Sequence, residues 1–539
     1  MTKQLSKTDF ILYKECSKNV WIKWHQPEEY AKFEVSEFEK SLGVVGIEVE
    51  ELARRMFPDG YLIERRSEGA QELTRKLITE HYPVIFQAVF GTEKYLTATD
   101  ILIWNTDANA YDLYEIKMSS TTNHEEGGDG DEDEEGDESK PKKINKKKEL
   151  QYEYDLAFQV NVLEMCGVPV NKKYLVRLNK KYKKLGDLEV KLGQLFVEED
   201  KTEKVDKLML VAKSEMEEAF AYLLNAKPIE GHCSCYYKGR SSHCTTFSIS
   251  NPGVPSYSVH DLNRIGNSKA FLKELLDKDI LKIDKVPEDK IPKIKKAKEG
   301  EKPKRPRKLY QVQTYKTKEQ RIEYSDIKAE LNSLTFPLYF LDYETYPSAI
   351  PLFNRYHPYQ NIVFQYSLHV LTEDDFKNGR EPKHYEELFL DGDPAERMVE
   401  SLREHIGDTG SVVSWFKSFE NSRNRELASL VPLQSIFLND VIKRTYDLMD
   451  IVENQYYVHH GFKGKSSIKN VQPVLAPDFA YKSLNVQSGA DAMEAYRQIL
   501  KGELTGRALE EKKEQMLKYC MYDTKVMYVI WKFFVDLNK

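Results

Sequence analysis

Asp342 and Glu344 stand two residues apart in FLDYETYP (340–347), a stretch that reads as the end of a buried strand. Side chains at i and i+2 of a strand share a face. Two like charges there repel one another, and each resists desolvation. A divalent cation between them reverses that balance. Near the other end of the chain, in MLKYCMYDTKVMYVIWKFF, Tyr519 and Asp523 are four residues apart and share one face of a helix. Asp523 could join the same cation. A pair of ions held in this way suits in-line phosphodiester cleavage, one activating the attacking oxygen and one stabilising the leaving oxygen. A second set lies in YLTATDILIWNTDANAYDLYEIKMSS (95–120): Asp100, then Glu115 and Lys117 at i and i+2. An Asp and a Glu on adjacent strands can share one metal. A lysine beside them can position or deprotonate a bound water, and its charge offsets the acids. The third set is cysteine: Cys16 in LYKECSKNVW and, far downstream, Cys233, Cys235 and Cys244 in GHCSCYYKGRSSHC. Four thiolates suit an iron–sulfur cluster; the alternative is zinc, bound by all four or by three of them with His232 or His243. Cys166, in an apolar helix, and Cys520, beside Tyr519, read as core thiols.

The elements needed to carry these side chains are legible around them. NIVFQYSLHVL (361–371), HYEELFL (384–390) and SVVSWF (411–416) read as strands, and DPAERMVESLREHIG as a helix with Asp393 at its start and Gly407 at its end. From Glu420 on the chain is mostly helical. In the first half, 95–120 reads as a hairpin turning at NTDANA, with Asp100 on its first strand and Glu115 and Lys117 on its second. A helix precedes it (46–60) and another follows (152–167). The polar stretch HHGFKGKSSIKNV (459–471) offers Lys463, Lys465 and Lys469 to phosphates.

A chain of 539 residues exceeds one ordinary core, so two or more domains are expected. With 40% apolar and 31% charged residues, a net charge of −7 and no apolar run of 18 residues, the composition is that of a soluble protein, expected in the cytoplasm and not in a membrane. The start, MTKQLSKTDFILYKECSKN, places charges inside its first apolar stretch, unlike a signal peptide. Acidity is concentrated in EEGGDGDEDEEGDESK (125–140) and followed by PKKINKKK. Such a block cannot bury enough surface to fold, so 121–149 is expected to be a disordered insertion. The Lys/Pro-rich 285–308 reads as a linker, a solvated spacer ahead of a phosphate-binding one. No internal repeat is present.

The order of three strands, a helix, a fourth strand and then helices resembles the RNase H-like fold. Asp342-x-Glu344 and Tyr519-x-x-x-Asp523 resemble the first and third motifs of the DnaQ-like 3′–5′ exonucleases of the tyrosine (DEDDy) type. That family's middle motif has Asp after Phe; here Phe419 is followed by Glu420, one methylene longer. The resemblance implies that Asp342, Glu344 and Asp523 hold Mg²⁺ or Mn²⁺, that Glu420 completes the shell and that Tyr519 orients the attacking water. Asp447, one of two further acids in YDLMDIV with Asp450, takes a supporting role. Asp100, Glu115 and Lys117 resemble the metal site of the restriction-endonuclease-like (PD-(D/E)XK) nucleases, with Asp100 and Glu115 as ligands. The RecB-like branch adds an acid on an early helix, for which Glu48 and Glu51 are both placed, and a Gln on the following helix, matched by Gln159. The Tyr usual four residues later is Leu163 here. One early and three late cysteines resemble the [4Fe–4S] staple of the RecB-like CRISPR-associated exonucleases and AddB-type nucleases, with Zn²⁺ the alternative. The whole chain, apart from 121–149, also resembles a bacterial domain family of unknown function with phrases like FPLYFLDYETYPSAIP and YCMYDT.

The expected architecture is therefore α/β: a RecB-like domain over 1–260, a helical connector over 261–335 and an RNase H-like exonuclease domain over 336–539. The expected activity is metal-dependent hydrolysis of nucleic acid, DNA ahead of RNA, in DNA processing, repair or defence. The alternatives are a nucleic-acid-binding protein with degenerate sites and an interaction scaffold using the acidic segment.

Overall fold

Mixed sheets with helices packed against them give the protein an α/β architecture. The computed structural model describes residues 3–33, 37–121, 146–188, 191–294, 304–479, 486 and 488–539. In the first half, six strands lie side by side in the order Tyr61–Leu62, Val84–Phe86, Ile101–Asn105, Ala110–Ser120, Val170–Leu178 and Phe196–Asp200. Val84–Phe86, Ile101–Asn105 and Ala110–Ser120 run antiparallel, and Val170–Leu178 lies parallel to Ala110–Ser120. A parallel neighbour needs a crossover; helix Lys146–Met165 supplies it. Along Ala110–Ser120 the side chains alternate between two cores. Tyr111 and Leu113 join the cluster containing Leu156 and Leu163 of that helix. Tyr114, Ile116 and Met118 join a second cluster with Val49 and Val176. Glu115 and Lys117 therefore continue the helix-facing series.

The second half holds a five-stranded sheet, ordered Lys383–Leu388, Asn361–Leu371, Leu338–Pro347, Ser411–Ser414, Thr445–Asp447. The first three run antiparallel and the last two parallel to the central strand. Tyr339, Leu341 and Tyr343 of that strand enter a core with Met398, Val399 and Leu402 of helix Ala395–His405. Leu338 and Phe340 enter another, with Val526, Ile530 and Trp531 of the long helix Gly506–Leu537. Asp342 and Glu344 extend this second series. Opposite them the register slips between Glu344 and Thr345, which pair with Gln365 and Val363; a bulge of this kind re-aims the side chain beside it.

Three expectations are corrected. The first strand of the predicted hairpin is broken. Tyr95–Ala98 belongs to a separate small sheet with Val89–Gly91 and Leu5–Ser6. Asp100 sits at the corner before Ile101, because Thr99 N–H donates to the Ala88 carbonyl and Gln87 N–H donates to that of Asp100. Of the insertion expected over 121–149, residues 122–145 lie outside the described residues, and 146–149 begin helix Lys146–Met165, where Glu149 binds Arg177 at 2.6 Å and Lys201 at 3.1 Å. Of the linker expected over 285–308, residues 295–303 lie outside the described residues. Val286 and Ile291 are buried in a cluster with Cys16, Cys233 and Val312.

The halves share packing. Ala349, Ile350 and Tyr359 enter the cluster behind the first sheet. Lys184 and the 355–356 backbone exchange two hydrogen bonds of 2.8 and 3.0 Å. Among the described residues no helix is long and apolar enough to cross a membrane.

Candidate functional sites

In the middle of the Ala110–Ser120 strand, Glu115 is 2% exposed and its carboxylate accepts three hydrogen bonds. One oxygen accepts from Lys7 and Lys117, both at 2.7 Å, and the other from Gln159 Nε2 at 2.7 Å. Burial pushes the Glu115 carboxyl up, but Lys117 and Lys7 outweigh it and hold the group below the usual carboxylate range. Lys117 also donates to Asp155, one turn before Gln159 on the same helix. Burial disfavours the Lys117 ammonium, but Glu115 and Asp155 outweigh it and raise its pKa, so the lysine stays charged. Asp100 accepts from Ile116 N–H at 2.8 Å. Among the described residues its carboxyl forms no ion pair; burial, then Glu115, push it from 3.8 up to about 8, against the opposing charge of Lys7. A buried carboxyl whose charge Lys7 only partly offsets, beside an ionised one, fits a cation.

Of the acids on helix Glu37–Arg54, the one that acts on Asp100 is Glu50, and not Glu48 or Glu51. Glu50 accepts from Gln87, and burial raises its pKa. Its charge raises Asp100, and Glu115 raises Glu50 in turn. Glu48 instead pairs with Lys501 at 2.7 Å, and the Glu51 side chain is 55% exposed near Arg54. The helical period decides: Val49 and Ala53 are fully buried in helix Glu37–Arg54, and Glu50 shares their face. That spacing was readable. Lys7, 108 residues from Glu115, left no such signal. Asp155 did, at i−4 from Gln159.

In the second half, Glu344 is 7%, Asp523 8% and Glu420 3% exposed. Burial raises Asp342 well above the ordinary range, reinforced by Asp523. Burial raises Glu344 likewise, reinforced by Asp342 and Asp523 and opposed by Lys469. Glu420, from helix Lys417–Leu430, is raised by burial and then by Asp342. Among the described residues no lysine or arginine forms an ion pair with Asp342, Glu344 or Glu420, and Glu420 Oε2 is a buried acceptor with no donor. Asp342, Glu344 and Cys520 place ligand atoms within 4.8 Å of one another. Cys520, expected to be a plain core thiol, donates to Asp342 Oδ2 at 3.7 Å. This donor set fits a hard divalent cation through its oxygens.

Asp447 serves the scaffold. It accepts from the N–H groups of Phe416, Lys417 and Met449 at 2.9 to 3.1 Å, and burial pushes its carboxyl up to about 6. This holds Phe416 at φ 75°, a left-handed conformation rare for an aromatic residue, at the start of the helix that carries Glu420. Tyr519, one turn before Asp523, is 5% exposed and belongs to the core cluster containing Tyr343 and Met516. Of the three loop lysines, Lys469 acts on Glu344.

Cys16, Cys233, Cys235 and Cys244 converge with all four sulfurs within 4.8 Å of one another and none in a disulfide. The hydrogen bonds of Cys233, Cys235 and Cys244 to Cys16 depress its pKa strongly. Zinc–sulfur bonds of about 2.3 Å place tetrahedral thiolates about 3.8 Å apart. Four thiols gathered in this way could hold a metal centre. The histidine alternatives are otherwise engaged. His232 stacks on Tyr236 with ring centres 3.5 Å apart, and His243 stacks on Phe247 at 3.4 Å.

A family model described as a domain of unknown function (DUF2779) matches residues 339–467, which include Asp342, Glu344, Glu420 and Asp447. The "Uncharacterized protein MG366" of Mycoplasma genitalium is 28% identical over 222 residues, covering 39% of this chain and 33% of that protein. The "Uncharacterized protein MG366 homolog" of Mycoplasma pneumoniae is 28% identical over 214 residues, covering 36% and 32%. The matched region thus spans about a third of the length of these curated relatives. No solved structure matches the chain.

Proposed function

We propose that the protein is a metal-dependent nuclease with two sites, an RNase H-like exonuclease site at Asp342 and Glu344 and a RecB-like site at Asp100, Glu115 and Lys117. The observation that carries the reading is the cluster of half-buried Asp342 with buried Glu344, Glu420 and Asp523 around the central strand of a sheet; among the described residues the first three form no ion pair, and Lys469 at Glu344 and Arg423 at Glu420 only partly offset the burial. Such a group is costly without a multivalent cation. The strand order, three antiparallel and two parallel to the central one, supports the RNase H-like assignment. The antiparallel meander, helical crossover and parallel strand support the RecB-like one.

Divalent ions held by Asp342, Glu344 and Asp523, and by Asp100 and Glu115, would supply Lewis acidity and a counter-charge to the phosphodiester. The chain's own residues divide the remaining tasks. Lys117, kept cationic by Glu115 and Asp155, favours the charge of a bound phosphate and is not a base in this state. Lys7 holds Glu115 from the other side. Glu50 adds a third acid beside Asp100. Glu420, raised by burial, can hold or release a proton next to Asp342. The cysteines would hold a metal centre, a [4Fe–4S] cluster or a zinc ion, pinning helix Lys7–Glu15 to the 233–244 segment. DNA stands ahead of RNA as substrate, by the family resemblance.

A second reading rests on Glu115, whose oxygens are taken by Lys7, Lys117 and Gln159: the first half would bind nucleic acid without cutting it. Cleavage of end-labelled single- and double-stranded DNA in Mg²⁺ or Mn²⁺, by the parent, Lys117→Ala, Asp342→Asn and the double variant, separates them. Two active sites give distinct partial losses and complete loss in the double variant. Parent-like cleavage by Lys117→Ala supports the second reading. A parent that cuts nothing in either metal refutes the proposal.

A further inference from the structure

Three cavities of about 430, 490 and 520 Å³ adjoin one another between the 239–308 segment and the C-terminal half. Shared walls make them one groove: Arg264 and Arg307 line two of them, and Arg240 and Lys465 line another two. Eight of the lining side chains are Lys or Arg and two are acidic, in a chain whose net charge is −7. Both acids are already neutralised. Asp261 is bound by Arg240 at 2.6 Å, and Glu453 by Arg264 at 3.1 Å and also by Arg307. No carboxylate of the described residues pairs with Lys308, Lys463 or Lys465. Burial, and then Arg264 and Arg307, hold the Lys308 ammonium below its usual range, so the groove carries positive charge that its own walls do not balance.

The groove also has a direction. Its lining includes Phe416, at the start of the helix bearing Glu420, and Ser467 and Asn470, which flank Lys469. Lys469 is the cation felt at Glu344. Tyr257 and Phe416, both half-buried, add two aromatic rings to the walls, and the open face of such a ring can stack on an unpaired base.

We propose that this groove carries a single nucleic-acid strand, gripped through its phosphates, to the Asp342–Glu344 site. The inference deepens the nuclease reading and rests on it for the destination of the strand. An acidic peptide would match the charge but would gain nothing from the rings or from arrival at buried carboxylates.

The test is anisotropy of a labelled single-stranded oligodeoxynucleotide with the full chain, without added Mg²⁺ or Mn²⁺, over a series of salt concentrations. The variant is Lys308→Gln with Lys465→Gln, and its far-UV circular dichroism is compared with the parent's. The two substitutions are expected to weaken binding by about tenfold or more and to flatten the dependence of log K on log salt by about 1.4, two contacts at about 0.7 each. Parent-like affinity and slope in the folded variant would overturn the proposal. So would a parent that binds no strand, or polyglutamate that competes as well as the oligonucleotide. Cleavage is read separately. Lost binding in the variant with no cleavage by the parent keeps the groove and sinks the nuclease reading; normal binding in the variant with cleavage by the parent does the reverse.

Discussion

Asp100→Asn should make the metal-free protein more stable at pH 7. The Asp100 carboxyl titrates at about 8 in the fold against an ordinary 3.8, because burial and Glu115 oppose its charge. The sign follows from proton counting: between these values the folded chain binds a proton that the unfolded chain has released, so stability falls as pH rises from about 4 to about 8. At pH 7 the proton uptake spans about 3 pH units, at 1.36 kcal/mol each, or about 4 kcal/mol. Asn does not titrate, its oxygen can keep the Ile116 N–H, and its amide can face Glu115. The variant should therefore gain up to about 4 kcal/mol at pH 7, about 8–16 °C in Tm for a domain of 150–250 residues, and nothing at pH 4. Differential scanning calorimetry at pH 4, 5.5 and 7, with and without Mn²⁺, reads the difference. Mn²⁺ should raise the Tm of the parent and leave this site of the variant without effect. A variant less stable than the parent at pH 7, or a difference that does not shrink toward pH 4, would refute the assignment of Asp100 as a carboxyl awaiting a cation.

Lys7→Ala removes one of two cations from Glu115, so Mn²⁺ should bind the first site about tenfold more tightly while KM for DNA rises; Lys7→Arg should restore both, and unchanged calorimetric Mn²⁺ affinity counts against the role. Glu420→Gln replaces a buried carboxyl already disfavoured as an anion; the metal-free Tm should hold while cleavage by the second site falls about ten- to hundredfold, measured in a Lys117→Ala background. Cys16→Ser should lower the zinc or iron content to a small fraction of the parent's by elemental analysis. It should also cost a large part of a binding free energy on the order of 10 kcal/mol, seen as a lower Tm; a visible absorption band in the parent would favour iron–sulfur over zinc.

Much of the second half was legible because its signals are local. The stretch NIVFQYSLHVL forms strand Asn361–Leu371 as read, since Ile362, Phe364, Tyr366 and Leu368 recur at a period of two and enter one core. The period of two put Asp342 with Glu344, and Glu115 with Lys117, on shared faces, and both pairs lie as that period requires. The four cysteines converge, as the resemblance of one early and three late cysteines to a metal-holding staple implied.

Other features depended on what covers each face. Periodicity says that Glu115 points one way but not that Lys7 from the chain start would meet it there. It says that Asp100 lies near a strand, yet the Gln87 and Ala88 backbone decides that it stands at a corner. Nothing local places Phe416 in a left-handed conformation; the N–H groups of Phe416 and Lys417, bound to Asp447 at the end of the neighbouring strand, hold it there. The sequence by itself determined which residues are apolar, which acids are paired and which thiols are available, because these are properties of neighbours along the chain. Only the tertiary structure decided which charges stay unbalanced, because burial and counter-charge are set by elements hundreds of residues apart.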